Sequence, residues 1–207
     1  MRRKPDGMQS SAQLEINPPR RFTLGAVLIV TAFGVFRALP IIAAILLISV
    51  LRFGPWTIII PLAALAASAI FVPFGLGNPY IAKLVHDNTP DAAADPDNFI
   101  VQLTLSPRIR SGVRAVFEDA DDIGVLAFAG GNLLFQGDSV NLKVPLAQIS
   151  VVRRQNSGPR GFYVYGRRLH LAVAGLPNVE SIEIAERSSW LLTTSRKTTK
   201  KLLEKFA

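Results

Sequence analysis

Cysteine is absent from the 207 residues, and histidine and methionine each occur only twice. Without thiols there is no structural disulfide, no thiolate zinc site, no cysteine nucleophile and no lipidated cysteine anchor. With only His86 and His170, imidazole chemistry has little to work with. Also missing are G-x-S-x-G, a P-loop, H-E-x-x-H and G-x-G-x-x-G, the spacings that build a nucleophile elbow, a phosphate cradle, a zinc pair or a dinucleotide turn. The expectation is a protein that is not an enzyme and uses no cofactor and no metal.

Charge is scarce over residues 22–82, where Arg37 and Arg52 are the only charged side chains. The net charge of +8 is spread along the chain, with five basic and two acidic residues among residues 1–21. No stretch concentrates it into a nucleic-acid footprint, so nucleic acid is not an expected partner. Residues 1–21 hold Pro5, Gly7, Pro18 and Pro19 among basic and polar residues without apolar periodicity, and read as a flexible basic tail.

Thirty uncharged residues run from 53 to 82, and roughly twenty residues suffice to cross a hydrocarbon core about 30 Å thick. A transmembrane helix is expected over about 56–76, with Trp56 and Tyr80 at the interfaces. Arg37 divides residues 22–51 into two shorter apolar runs, and a single tilted helix over about 24–52 is expected there. Arg37 then either snorkels to the interface or meets a partner's carboxylate or carbonyls. A re-entrant or three-pass path stays open. With Arg52, Gly54 and Pro55 as the turn, the expectation is a transmembrane helical hairpin over residues 22–82. The basic tail orients it so that the N-terminus and the C-terminal domain face the cytoplasm, a multi-pass inner-membrane placement.

Residues 83–98 are rich in Asp, Ala and Pro and read as a linker. From residue 99 the apolar period becomes two: Phe99, Val101, Leu103 and Leu105; Val125 and Ala127; Leu133 and Phe135; Val140, Leu142 and Val144; Phe162 and Val164; Leu169, Leu171 and Val173; Ile182 and Ile184. These are half-buried strands. Gly130-Gly131-Asn132, Gly137-Asp138-Ser139, Asn156-Ser157-Gly158-Pro159 and Gly175-Leu176-Pro177-Asn178 supply hairpin turns. Seven or eight antiparallel strands predict a mainly-β small barrel or sandwich. A closing amphipathic helix is expected over 188–207, capped by Ser188 or Ser189 and anchored by Trp190, Leu191, Leu202, Leu203 and Phe206.

Strands followed by one capping helix, with Gly124-Val125-Leu126-Ala127-Phe128, Leu133-Leu134-Phe135 and Val144-Pro145-Leu146-Ala147-Gln148-Ile149 in sequence, resemble the PH-like superfamily, particularly GRAM-type and bacterial PH-like domains. The resemblance covers residues 99–207. It implies a PH-like small barrel capped by a C-terminal α-helix, and bacterial domains of this kind often follow a pair of membrane helices. It does not carry over phosphoinositide binding, because the first hairpin lacks the spaced Lys/Arg pattern.

Four candidate sites stand out. Glu118, Asp119, Asp121 and Asp122 offer oxygen ligands but lack the spacing of an EF-hand, and read better as a solvated loop paired to Arg108, Arg110 or Arg114. Arg153, Arg154, Arg160, Arg167 and Arg168 flank one hairpin and could form a basic face toward a lipid or protein partner, or ordinary sheet surface. Lys197, Lys200 and Lys201 give the closing helix a basic face for the same class of contact. Arg37 is the intramembrane candidate. Together these predict a membrane-anchored PH-like binding or assembly module that recruits a protein or anionic lipid headgroups, with membrane lipids and a protein partner or a second copy as partners. The alternative is a structural subunit of a membrane complex, and third an enzyme of unrecognised class.

Overall fold

The computed structural model describes residues 11–36, 43, 59, 77–112, 120–155, 168–189 and 191–206. In chain order the elements are β1 (Gln13–Ile16), α1 (Leu24–Phe36), α2 (Asn78–Asn88), α3 (Pro90–Ala94), β2 (Phe99–Ser106), β3 (Asp122–Ala129), β4 (Asn132–Gly137), β5 (Val140–Pro145), β6 (Ile149–Gln155), β7 (Arg168–Val173), β8 (Ser181–Glu186) and α4 (Leu192–Glu204). The eight strands form one antiparallel sheet in the order β1-β5-β4-β3-β2-β8-β7-β6, an open half-barrel.

Within the described residues the strands follow the alternation of apolar residues and the turns follow their residue types; Phe162, Val164 and the turn expected at Asn156-Ser157-Gly158-Pro159 lie outside them. Gly130 and Gly131 both take positive φ, at 57° and 73°, the conformation that a two-residue hairpin between β3 and β4 requires and that glycine adopts without steric cost. One face of the sheet carries the main core, with Val101, Leu103, Leu126, Leu133, Phe135, Leu142, Leu169, Leu171, Ile182 and Ile184 buried. Helix α4 closes this face through Leu202, with Leu203 and Phe206 packed beside it.

The opposite face is also covered. Phe22 just before α1, Ala26, Val27 and Val30 within it, and Ile81 and Val85 of α2, bury themselves against Ile123 and Val125 of β3. Strand β3 is therefore buried on both sides, with Leu126 turned toward the main core and Val125 toward the helices. The spacing of Asn78, Ile81 and Val85 puts them on one side of α2, and Pro79 sits at its first turn, where a missing N–H costs nothing.

Four expectations are corrected here. The transmembrane helical hairpin over residues 22–82 is overturned: among the described residues no helix is long and apolar enough to cross a membrane. Over its described residues Leu24–Phe36, helix α1 lays Ala26, Val27 and Val30 against the sheet. Its inner side is spent on the sheet, which is the physical reason that an apolar run here answers to the domain. The multi-pass inner-membrane placement and its cytoplasmic orientation fall with it. Arg37, and the turn and second helix expected over 52–76 apart from residue 59, lie outside the described residues.

Residues 83–98, expected as a linker, are mostly occupied by α2 and α3; Thr89 joins the two, its N–H and hydroxyl both donating to the Val85 carbonyl at 2.8 and 3.1 Å. The expected flexible tail supplies β1, paired with β5 from Gln13↔Lys143 to Ile16↔Val140.

Candidate functional site

Of the hairpin arginines, Arg168 alone has a described side chain, and it is not on the surface. Arg168 is buried on β7, 3% exposed, and pairs with Glu183 of β8 at 3.1 Å. The same carboxylate lies 3.5 Å from His170 Nδ1. Arg153 and Arg154 stand on β6 opposite His170 and Leu169, while Arg160 and Arg167 lie outside the described residues. A guanidinium so enclosed is structural first: an unpaired charge in its place would be expensive, and Glu183 offsets that.

The closing helix does present its lysines. Ser195, Thr199 and Leu202 point inward, three and four residues apart. Thr199 Oγ1 donates to the Ser195 carbonyl at 2.9 Å, so the Thr199 hydroxyl is buried with its donor satisfied within the helix. Phe206 meets Phe128 edge to face with centroids 5.2 Å apart. On the other side Arg196, Lys197, Lys200, Lys201 and Lys205 are exposed. Lys200 pairs with Glu204 at 3.8 Å and Lys205 with Asp97 at 3.7 Å. Both pairs are solvent-exposed and weak.

The start of α4 differs from expectation. Its first residue is Leu192 and its N-cap is Leu191, which makes no side-chain capping bond. Ser188 and Ser189 are engaged elsewhere: both their N–H groups and both hydroxyls donate to Glu186 Oε1 at 2.6–2.8 Å. The buried carboxylate ending β8 outcompetes the helix for the serines, since four donors converge on one charged acceptor.

The acidic run is likewise divided. Glu118 and Asp119 lie outside the described residues. Asp121 is fully buried and accepts the N–H groups of Leu105, Ile109 and Arg110 at 2.8, 3.1 and 2.9 Å; Arg108 Nε stands 3.8 Å away. Asp122 accepts from Ser139 N and Val140 N, each at 2.7 Å, and burial pushes its carboxyl up to about 6. The expected solvated loop is corrected at both residues: their oxygens hold main-chain turns together. Among the described residues no three His, Asp or Glu side chains gather as a metal ion would require.

Sequence reasoning missed Asp138. Read as a turn residue between β4 and β5, it is 9% exposed, and its carboxylate accepts three consecutive main-chain N–H groups, those of Arg20, Arg21 and Phe22, at 2.8–3.0 Å. Phe22 is thereby held in the second core, beside a water-sized cleft lined by Leu84, Val85, Thr89 and Gly124. Nothing local announces a bond spanning more than a hundred residues. Arg187, fully buried and donating to Gln102 Oε1 at 3.0 Å, was also missed.

Within this fold the basic face of α4 is the described feature best placed to meet a partner. No family model, no curated protein and no solved structure matches the chain.

Proposed function

We propose that the chain is a binding module, not a catalyst, that takes an acidic segment of a protein partner on the exposed face of α4. The observation that carries this is the row Arg196, Lys197, Lys200 and Lys201, outward-facing on a helix whose other side is locked into the core. Glu204 is the only acid within α4. A rigid helix presenting clustered cations steers an acidic partner toward itself and holds it without reorganising.

Two further features support a PH-like reading of the domain. Strands β2–β5 and β6–β8 each pair as consecutive hairpins, and the two runs join where β2 and β8 meet in the middle of the sheet. The chain then ends on a helix that closes the main core. This arrangement is in keeping with the resemblance drawn from the strand and turn cadence.

The reading is tested with Lys197→Glu/Lys200→Glu/Lys201→Glu and a fluorescent oligoglutamate peptide. Binding by the native chain that weakens at least tenfold in the triple variant, and falls steeply with salt, is the expected result. Vesicles containing phosphatidylglycerol form the second arm. Capture by vesicles with no peptide binding would replace the acidic protein with a lipid surface, and equal peptide binding by both chains would remove α4 from the interface.

A further inference from the structure

The edge of the sheet at β5 is covered by a strand from the far end of the chain. Gln13–Ile16 pairs antiparallel with Val140–Lys143, and Asn17 N donates to Ser139 O at 2.7 Å. This added strand is weakly held. Only Ala12 and Leu14 pack on the main core, each partly buried. Gln13, Glu15 and Ile16 are exposed, Ile16 at 49%. The strand is four residues long and sits at the end of the sheet order, where local opening is least costly.

The neighbouring residues on its C-terminal side are held in a different way. Pro18 and Pro19 cannot donate to a ladder. Immediately after them, Arg20, Arg21 and Phe22 are clasped by the Asp138 carboxylate, and Phe22 is 0% exposed. The chain thus has a firm anchor at 20–22, a short segment at 17–19 that the sheet does not hold beyond Asn17, and a light strand beyond it. The strand can leave while the anchor stays.

We propose that the β5 edge is a strand-binding site, occupied in cis by residues 12–16 and open to exchange with an extended segment of a protein partner. The in-cis strand defines what fits: a chain antiparallel to β5, with small or aliphatic side chains two residues apart toward the core, as Ala12 and Leu14 are, and polar ones between. Main-chain pairing supplies affinity and the alternate positions supply selectivity. An edge left bare would be an aggregation hazard, so an exchangeable resident also protects it. This inference is independent of the contact assigned to α4.

The test uses the full chain, its Leu14→Asp variant and a fluorescent peptide of residues 11–17. Hydrogen exchange at Val140–Lys143 is read alongside fluorescence anisotropy. In Leu14→Asp the β5 amides are expected to lose protection and regain it on adding peptide, with peptide affinity at least tenfold above that of the native chain. A Glu15→Cys/Asn141→Cys variant joins residues that are direct partners across β1 and β5. Oxidised, it is expected to refuse the peptide, and reduced, to behave as the native chain, which separates occupancy of the edge from loss of the fold. The proposal is overturned if Leu14→Asp exposes β5 without taking up peptide, if its β5 stays protected, or if the oxidised and reduced chains bind peptide alike. Self-association of Leu14→Asp in place of peptide uptake would also overturn the assignment to a partner.

Discussion

Buried acids do much of the structural work at the scale of single residues. Asp138 replaces three lost water contacts for one stretch of backbone, and its removal strands three main-chain donors at once. Asp138→Ala is expected to destabilise the fold by about 3 kcal/mol, given roughly 1–3 kcal/mol for each buried group left unsatisfied and partial rescue by water, as chemical denaturation would show. Asp122 behaves in the opposite sense. Burial raises its carboxyl from 3.8 to about 6, so between those values the folded chain binds a proton that the unfolded chain does not. Its contribution to stability therefore falls as pH rises from about 4 to 6 and is level above. Oδ1 has no hydrogen-bond partner and can carry the proton while Oδ2 keeps both N–H groups. Denaturation at pH 4.5 and 7 is expected to show this dependence in the native chain and its loss in Asp122→Asn, the difference being about 2 kcal/mol.

Arg168 also belongs to the residue scale, as a correction to a plausible surface role. Replacing it with Ala leaves Glu183 without its closest cation, and a loss of about 3 kcal/mol is expected. Thermal unfolding would register that loss, whereas binding of an acidic peptide by the folded fraction should not change.

Among elements, α4 and the β3–β4 pair show how packing and function divide. Leu202 closes the main core at 1% exposure, so Leu202→Ala is expected to cost about 2–4 kcal/mol in denaturant unfolding through the cavity it leaves. Charge reversal of Lys197, Lys200 and Lys201 on the opposite side of the same helix should leave stability within about 0.5 kcal/mol, surface sites being tolerant. The β3–β4 pair is closer than side chains allow at one point: a Cβ on Gly124 would strike the backbone of Gln136 and Gly137. Gly124→Ala is expected to lower the unfolding free energy by more than about 2 kcal/mol, because backbone on both strands would have to move.

The molecule as a whole is a single sheet with both faces in use, and this is where the sequence was hardest to read. Alternation in β2, β4, β5, β7 and β8 marked the main core directly, since one side of each strand faces it. In β3 both sides are buried, and Val125, which alternation would have assigned to the same core as its neighbours, meets α1 and α2 instead. The uncharged run at 22–36 showed only that its side chains avoid water; hydropathy does not distinguish a lipid from the outer face of a sheet. Basic residues were legible as charges but not as positions, so Lys197 and Arg168 looked alike although one is exposed and the other enclosed.

Across the described residues, the sequence by itself determined the strand periods, the glycine turns and the closing amphipathic helix, because each depends on residues within a few positions of one another. Only the tertiary structure decided which face each element covers, that residues 13–16 complete the sheet, and that Asp121, Asp122, Asp138 and Glu186 bind backbone and not solvent. Those outcomes depend on groups more than a hundred positions apart whose encounter is set by the sheet order, and no local pattern encodes that distance.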